Sequence, residues 1–145
     1  MKFLVIHDDA AESGGANTFR KDFSRVLESL GNEVFLFTYK ADKYADPARC
    51  FIYRYNDRIK FIRHFSRHYF NPALFFFLRR LIKLVDPDVI HIHQNDTFTG
   101  TVLMACISSI PVVQTVHDHR IICPTGKGIT PDGRLCAGKS GTACY

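Results

Sequence analysis

The sequence predicts an α/β fold built on a parallel sheet of about five strands. Three apolar segments are each followed directly by polar residues, namely His7-Asp8, His93-Gln94-Asn95 and His117-Asp118. Helical patterns separate most of the predicted strands, and such alternation is typical of a parallel sheet with right-handed crossovers. The strand order 3-2-1-4-5 is our prediction, because it places the switch in strand order between strands one and four. Ligands bind beyond the carboxyl ends of the strands at such a switch.

The first half of the chain is predicted to contain three strands and one helix. Residues 2–6 are predicted as a buried strand, because residues 3–6 form a continuous apolar run. A helix follows, indicated by apolar residues three or four apart, namely Phe19, Phe23, Val26, Leu27 and Leu30. Gly31 is expected to end that helix in the left-handed C′ position. Residues 33–38 and 50–55 are predicted as the second and third strands.

The second half is predicted to contain three helices, two strands and an irregular tail. A basic amphipathic helix is expected at residues 57–69, and a second helix runs from an Asn71 cap and Pro72 to about residue 85. Residues 88–92 and 111–116 are predicted as strands four and five, with a helix over about 99–108 between them. Residues 119–145 form the glycine-rich and cysteine-bearing tail.

Length and composition indicate one domain rather than several. The chain has 145 residues and 46% hydrophobic content, which suits one Rossmann-like domain over residues 1–145 with its own core. We find no apolar run near the ~20 residues that cross a bilayer, and the start is too short and acidic for a secretory signal. These observations predict a cytoplasmic chain, peripheral to the membrane if it contacts one.

The positive charge belongs to one region. Net charge is +5, yet residues 54–83 hold eight Arg or Lys against one acid, so the remainder carries −2. The predicted basic helix is either a membrane-surface element that meets anionic lipid or a helix packed on its own domain with a solvated basic face. Nucleic acid is not expected as a partner, because no recognition motif accompanies the charge.

Two predicted strand ends carry candidate binding residues near the switch in strand order. Gly14 and Gly15 precede a helix, where backbone N–H groups attract anions, although a plain turn that needs positive φ explains them equally well. The G-x-G-x-x-G dinucleotide pattern is absent. His91 and His93 lie two apart on one strand and so share a face, which makes a metal pair conceivable. We favour packing for His91, with His93 and Asn95 at the rim.

Further candidates lie in the last third of the chain. His117 ends the fifth strand beside Asp118, where an imidazole either donates to a ligand hydroxyl or phosphate or is satisfied by a backbone carbonyl. Cys123, Cys136 and Cys144, with His119 nearby, have the residue types of a structural zinc site. Their spacing lacks a C-x-x-C pair, so reduced thiols are the alternative. An odd count of five cysteines argues against a disulfide framework.

Together these motifs resemble the N-terminal domain of the family-four retaining glycosyltransferases, which adopt the GT-B fold of two Rossmann domains. The resemblance rests on four segments in order, Ser13-Gly14-Gly15-Ala16, residues 87–93, Val116-His117-Asp118, and Cys123-Pro124 with Cys136. The last is similar to the cysteine-bearing insertion of one subgroup. The resemblance spans nearly the whole chain.

The resemblance implies a role for each candidate residue. Gly14 and Gly15 would lie by the donor phosphates and the acceptor, and His93 would line the acceptor side of the cleft. His117 would contact the transferred sugar and stabilise charge as the bond to the diphosphate breaks. Catalysis would need no metal, so zinc at the cysteines would be structural.

The resemblance also implies an incomplete enzyme. The donor, a nucleotide-diphosphate sugar, would be held mainly by a second Rossmann domain, so we expect this chain to be truncated and inactive alone. The acceptor would be a glycan or lipid-linked molecule in the synthesis of a cell-surface polysaccharide or glycolipid. The alternative is a non-catalytic, flavodoxin-like domain that binds a partner or a membrane surface through its basic helix.

Overall fold

The computed structural model describes residues 1–8, 14–40, 46–54, 70–94, 98–117, 128–130 and 133–136. The strands are β1 (Lys2–His7), β2 (Glu33–Thr38), β3 (Cys50–Ile52), β4 (Val89–Gln94) and β5 (Val112–Gln114), and the helices are α1 (Gly15–Ser29), α2 (Pro72–Val85) and α3 (Thr99–Cys106). All strand pairs are parallel, and the sheet order is β3-β2-β1-β4-β5. The predicted fold class and strand order are therefore confirmed.

The centre of the sheet is β1, which pairs with β2 on one side and β4 on the other. Leu4, Val5 and Ile6 are fully buried. Successive strand residues point to opposite faces, so complete burial of three in a row requires cover on both faces. This explains why the sequence has an unbroken apolar run here and no alternating pattern.

One face of the sheet carries the main hydrophobic core. Leu4 and Ile6 of β1 belong to it together with Ile90 and Ile92 of β4. Its helical side comes from the apolar stripe of α2 and from α3, namely Leu74, Leu78, Leu81, Ile82, Val85, Val102, Ala105 and Cys106. The side chain of Asn71 caps α2 by accepting from the Leu74 amide at 3.0 Å, and Pro72 follows in the first turn. The predicted start of this helix is confirmed.

The other face of the sheet is covered by α1. This helix ends where the sequence predicts, because Gly31 follows its C-cap with a φ of +79°. Its most buried side chains are polar, since Asn17 and Arg20 are both less than a tenth exposed. The apolar spacing that predicts this helix therefore does not identify its most buried positions.

Three strands differ in length from the prediction. β3 stops at Ile52, because β2 ends at Thr38 and offers only one more bond, from the Tyr53 amide to the Thr38 carbonyl at 3.0 Å. β5 pairs with β4 over three residues only and is exposed as the edge strand. β4 runs two residues further than predicted, to Gln94, which pairs with His7 across a register shift.

The chain divides into two compact units, Met1–Thr115 and Val116–Tyr145. In the second unit the described residues form a small antiparallel bridge between Ile129 and Leu135. A turn at Gly133, with a φ of +81°, closes it. The single domain over residues 1–145 stays a prediction, and the predicted basic helix at 57–69 lies outside the described residues. Within the described ranges, no helix is long and apolar enough to span a membrane.

Candidate functional site

The glycine turn lies at the carboxyl end of β1, as predicted. Gly14 is the N-cap of α1, and its φ of +150° lies in the region that favours glycine. The amide and the hydroxyl of Thr18 both donate to the Gly14 carbonyl, at 3.0 and 3.1 Å. Among the described residues, a Cβ at Gly14 or Gly15 would meet nothing within 4 Å, so this part of the chain leaves the surface above the turn open. Backbone conformation explains glycine at position 14, and the open surface leaves room for a ligand.

His93 lies beneath this turn and is fully buried. Its Nε2 is 2.9 Å from the Ala16 carbonyl oxygen, which joins the end of β4 to the first turn of α1. The Phe19 ring stacks on the imidazole with centroids 5.4 Å apart and planes within 9°. Phe19 itself is half exposed. His93 therefore helps to hold the glycine turn in place, and the Phe19 ring lies between His93 and solvent.

Two further histidines complete a buried cluster. The ring of His93 lies 5.4 Å from His7 and 5.5 Å from His91, between centroids. His91 contacts the Phe23 ring edge-on at 4.7 Å, and its Nε2 is 2.7 Å from the Thr115 hydroxyl. The cluster therefore joins β1, β4, α1 and the end of β5.

His7 was not predicted as a site residue from the sequence. Its place in the cluster follows from the register of the sheet. Parallel pairing places Ile6 beside Ile92 and His7 beside Gln94, so the His7 side chain arrives next to that of His93. His7 and His93 are 86 positions apart in sequence, and only the pairing of β1 with β4 relates them.

The histidine cluster is arranged for packing and not for metal binding. Both Nε2 atoms of the His91 and His93 pair make hydrogen bonds within the protein. Among the residues that the structure describes, no group of three or more His, Cys, Asp or Glu is arranged to hold a metal ion. The packing interpretation of His91 agrees with this geometry.

His117 belongs to the second unit and is exposed, three residues past the end of β5. Cys136 is also exposed, with a free thiol beside the Ile129–Leu135 bridge. The remaining predicted site residues lie outside the described part of the chain, namely Asn95, Asp118, His119, Cys123 and Cys144. The roles predicted for them and for His117, and the zinc site, stay predictions.

Cys106 is excluded as a reactive thiol by its surroundings. It is almost completely buried in α3 among core residues. Burial raises the pKa of its thiol to about 12, against a smaller lowering by Arg79. Nucleophilic cysteines depend on a lowered thiol pKa and on access, so Cys106 is a core residue.

Comparison with known proteins supports the motif-based resemblance. The family model described as Glycosyltransferase Family 4 matches residues 13–132 of the chain. The match begins at the glycine turn and includes His93 and His117. No curated protein matches the chain.

Proposed function

The chain belongs to glycosyltransferase family 4, and on this basis we propose that it forms the acceptor-side domain of a sugar-transferring enzyme. The donor would be a nucleotide-diphosphate sugar, and the acceptor a glycan or a lipid-linked glycan. The observation that carries the proposal is the family match over residues 13–132. The open glycine turn at the carboxyl edge of the sheet supports it, because ligands bind at this edge in such folds.

In this proposal His117 is the residue that contacts the transferred sugar. Its exposure leaves the imidazole accessible to a ligand. As the bond between sugar and diphosphate breaks, positive charge develops on the sugar ring and negative charge on the leaving phosphate. A donor placed at the right atom stabilises this charge separation more strongly in the transition state than in the ground state. Asp118, the next residue, would help to orient the sugar.

Gly14 and Gly15 would meet the donor phosphates and the near side of the acceptor. No described side chain caps the start of α1, where N–H groups would supply donors without the bulk of a side chain. His93 would act on the acceptor side of the cleft indirectly, because its own ring is buried. It would do so by holding the Ala16 carbonyl that it contacts. Asn95, just past β4, would complete that side of the cleft.

Transfer would require a second Rossmann domain that holds most of the donor. One nucleotide-sugar site in this fold is shared between two domains, so we propose that the 145 residues alone do not transfer sugar. The enzyme would need no metal for the chemical step. Zinc bound by Cys123, Cys136, Cys144 and His119 would be structural, and metal analysis of protein purified without added zinc would detect it.

The acceptor would lie at the cytoplasmic face of the cell membrane, in the synthesis of a cell-surface polysaccharide or glycolipid. One exposed face of α2 supports peripheral contact with an anionic membrane. It carries Phe76 and Leu84, which are about 70% exposed, with the exposed Arg80 and Lys83 between them. Such a face buries apolar side chains at the interface while its cations meet lipid phosphates. Flotation with phosphatidylglycerol vesicles should weaken for the Arg80→Gln/Lys83→Gln variant.

The test of the function is sugar transfer from a panel of nucleotide-diphosphate sugars by the chain joined to its nucleotide-binding domain. Replacement of His117 by Ala should abolish transfer and leave the unfolding transition unchanged, because the side chain is exposed. Val116→Ala, at the exposed neighbouring position, is the matched control and should retain transfer. Full turnover by His117→Ala would remove His117 from the mechanism, and transfer by the 145 residues alone would refute the need for a second domain.

A further inference from the structure

A groove of about 340 Å³ runs between α1 and the outer strands β2 and β3. Val34 and Leu36 of β2 and Cys50 at the start of β3 line its sheet side. Among the described residues, its charged lining comprises four basic and two acidic side chains, Arg20, Lys21, Arg25, Arg49, Glu28 and Asp46. This described lining therefore carries a net positive charge on an apolar floor.

The groove is separate from the carboxyl edge of the sheet. Its floor residues are the second and fourth residues of the six-residue β2 and the first residue of β3. On the helix side it reaches Glu28, in the last turn of α1, whereas the glycine turn precedes the first turn. The groove thus extends toward the amino ends of the strands, and the proposed transfer site has no need of it.

Arg20 is the cation of the groove whose side chain is held in place by burial. It is 7% exposed, and its Nε donates to the Oδ1 of the buried Asn17 at 3.2 Å. Arg20 and Cys50 line the same groove. Burial raises the pKa of the Cys50 thiol, and the Arg20 guanidinium partly offsets that rise. A guanidinium held by packing loses little freedom when it binds an anion, and its planar fork suits phosphate oxygens.

Two other cations of the groove, Arg25 and Arg49, form ion pairs with exposed carboxylates. Arg49 lies 3.8 Å from Glu28, and both side chains are nearly half exposed. Arg25 lies 3.3 Å from Asp22, and both are well exposed. Exposed pairs of this kind contribute little, so a stronger anion can replace these carboxylates.

We propose that this groove binds a small phosphorylated ligand. Its volume lies at the lower end of the range for ligand sites, about 300–1,000 Å³, so a group of pyrophosphate or sugar-phosphate size suits it. One phosphate oxygen would bind Arg20, and a second would replace the carboxylate of Glu28 at Arg49. The phosphate comes either from a soluble ester or from a lipid headgroup, and the experiment separates these two sources.

The reporter of occupancy is the Cys50 thiol in the groove wall. We would measure maleimide labelling of the 145-residue chain at pH 8 with pyrophosphate or with phosphatidylglycerol vesicles, and chloride would hold the ionic strength constant. Trypsin releases Cys50 in the peptide 50–54 and the exposed Cys136 in the peptide 135–139, each as the sole cysteine. Pyrophosphate at 10 mM should slow labelling of Cys50 about threefold or more and leave Cys136 unchanged.

Variants with opposite effects distinguish binding from a change in fold. Lys21→Gln/Arg25→Gln should weaken protection about fivefold, the scale of two surface charge contacts, and Glu28→Gln should strengthen it about twofold. Lys40→Gln, at an exposed position two residues past the carboxyl end of β2, should change nothing. Added protection by vesicles would assign the phosphate to lipid as well, and protection by pyrophosphate alone to a soluble ester. Absent protection by pyrophosphate, equal protection of Cys136, or an unaltered double variant would each overturn the proposal.

Discussion

The buried His93 provides a quantitative test of how the glycine turn is held. Replacement by Phe keeps an aromatic ring against Phe19 and removes only the contact between Nε2 and the Ala16 carbonyl. A typical hydrogen bond contributes about 1 kcal/mol net, and in an α-helix that carbonyl still accepts from the amide four residues later. We therefore expect His93→Phe to lower the free energy of unfolding by about 1 kcal/mol.

Replacement of His93 by Ala removes more. It also deletes the stack on Phe19, which contributes about 0.5–1.5 kcal/mol, and leaves a cavity at a fully buried position. The expected loss is about 3 kcal/mol. The double variant with Phe19→Leu should lose less than the sum of the single losses, because the stack is removed once.

Urea unfolding followed by circular dichroism measures these differences, since the chain has no Trp to report by fluorescence. His117→Ala is the control, because an exposed histidine should change stability by less than about 0.5 kcal/mol. A His93→Ala variant as stable as the wild type would refute the stabilising role of the buried His93 side chain. Equal losses for Phe and Ala would refute the contribution of the aromatic stack.

Three further predictions concern other parts of the fold. The pKa of Cys106 is raised to about 12 in the folded chain, so the thiol of the unfolded chain loses its proton at lower pH. The free energy of unfolding should therefore fall as pH rises from about 9 to 12, with a slope of up to about 1.4 kcal/mol per pH unit. Urea unfolding across this range under reducing conditions should show a shallower fall for Cys106→Val, and equal slopes would contradict the assignment. Asn71→Ala should cost about 1 kcal/mol through loss of the α2 cap, with Asn71→Asp retaining most of it, and an unchanged urea midpoint would show that the cap is not needed. Gly31→Ala should cost about 1 kcal/mol because φ is +79°, and an increase in the thermal midpoint would refute the strain.

Local patterns in the sequence were sufficient for the position of β1, the start of α2 and the end of α1. The buried β1, the cap at Asn71 and the stop at Gly31 each depend on residues close in sequence. Strand order also followed, because parallel strands joined by right-handed crossovers leave few arrangements. The family was accessible for the same reason, since its motifs lie at strand ends in a fixed order.

Strand lengths and side-chain burial required the tertiary structure. β3 ends where its partner β2 ends, and β5 is short because it forms the edge. Neither limit is encoded in the strand's own residues, because a ladder extends only as far as its neighbour does. The burial of Arg20 likewise depends on the strands against which α1 packs, so the spacing of residues within α1 could not show it.

The candidate site shows the same division. The sequence indicated that a glycine turn follows β1 and that histidines lie at or just beyond the carboxyl ends of β4 and β5. Only the packing of α1 on the sheet decided that His93 is buried beneath Phe19, and only the pairing of β1 with β4 brought His7 beside it. The physical reason is range: turns, caps and periodicity are set by neighbours along the chain, whereas burial and side-chain contact depend on residues that meet only after the sheet has formed.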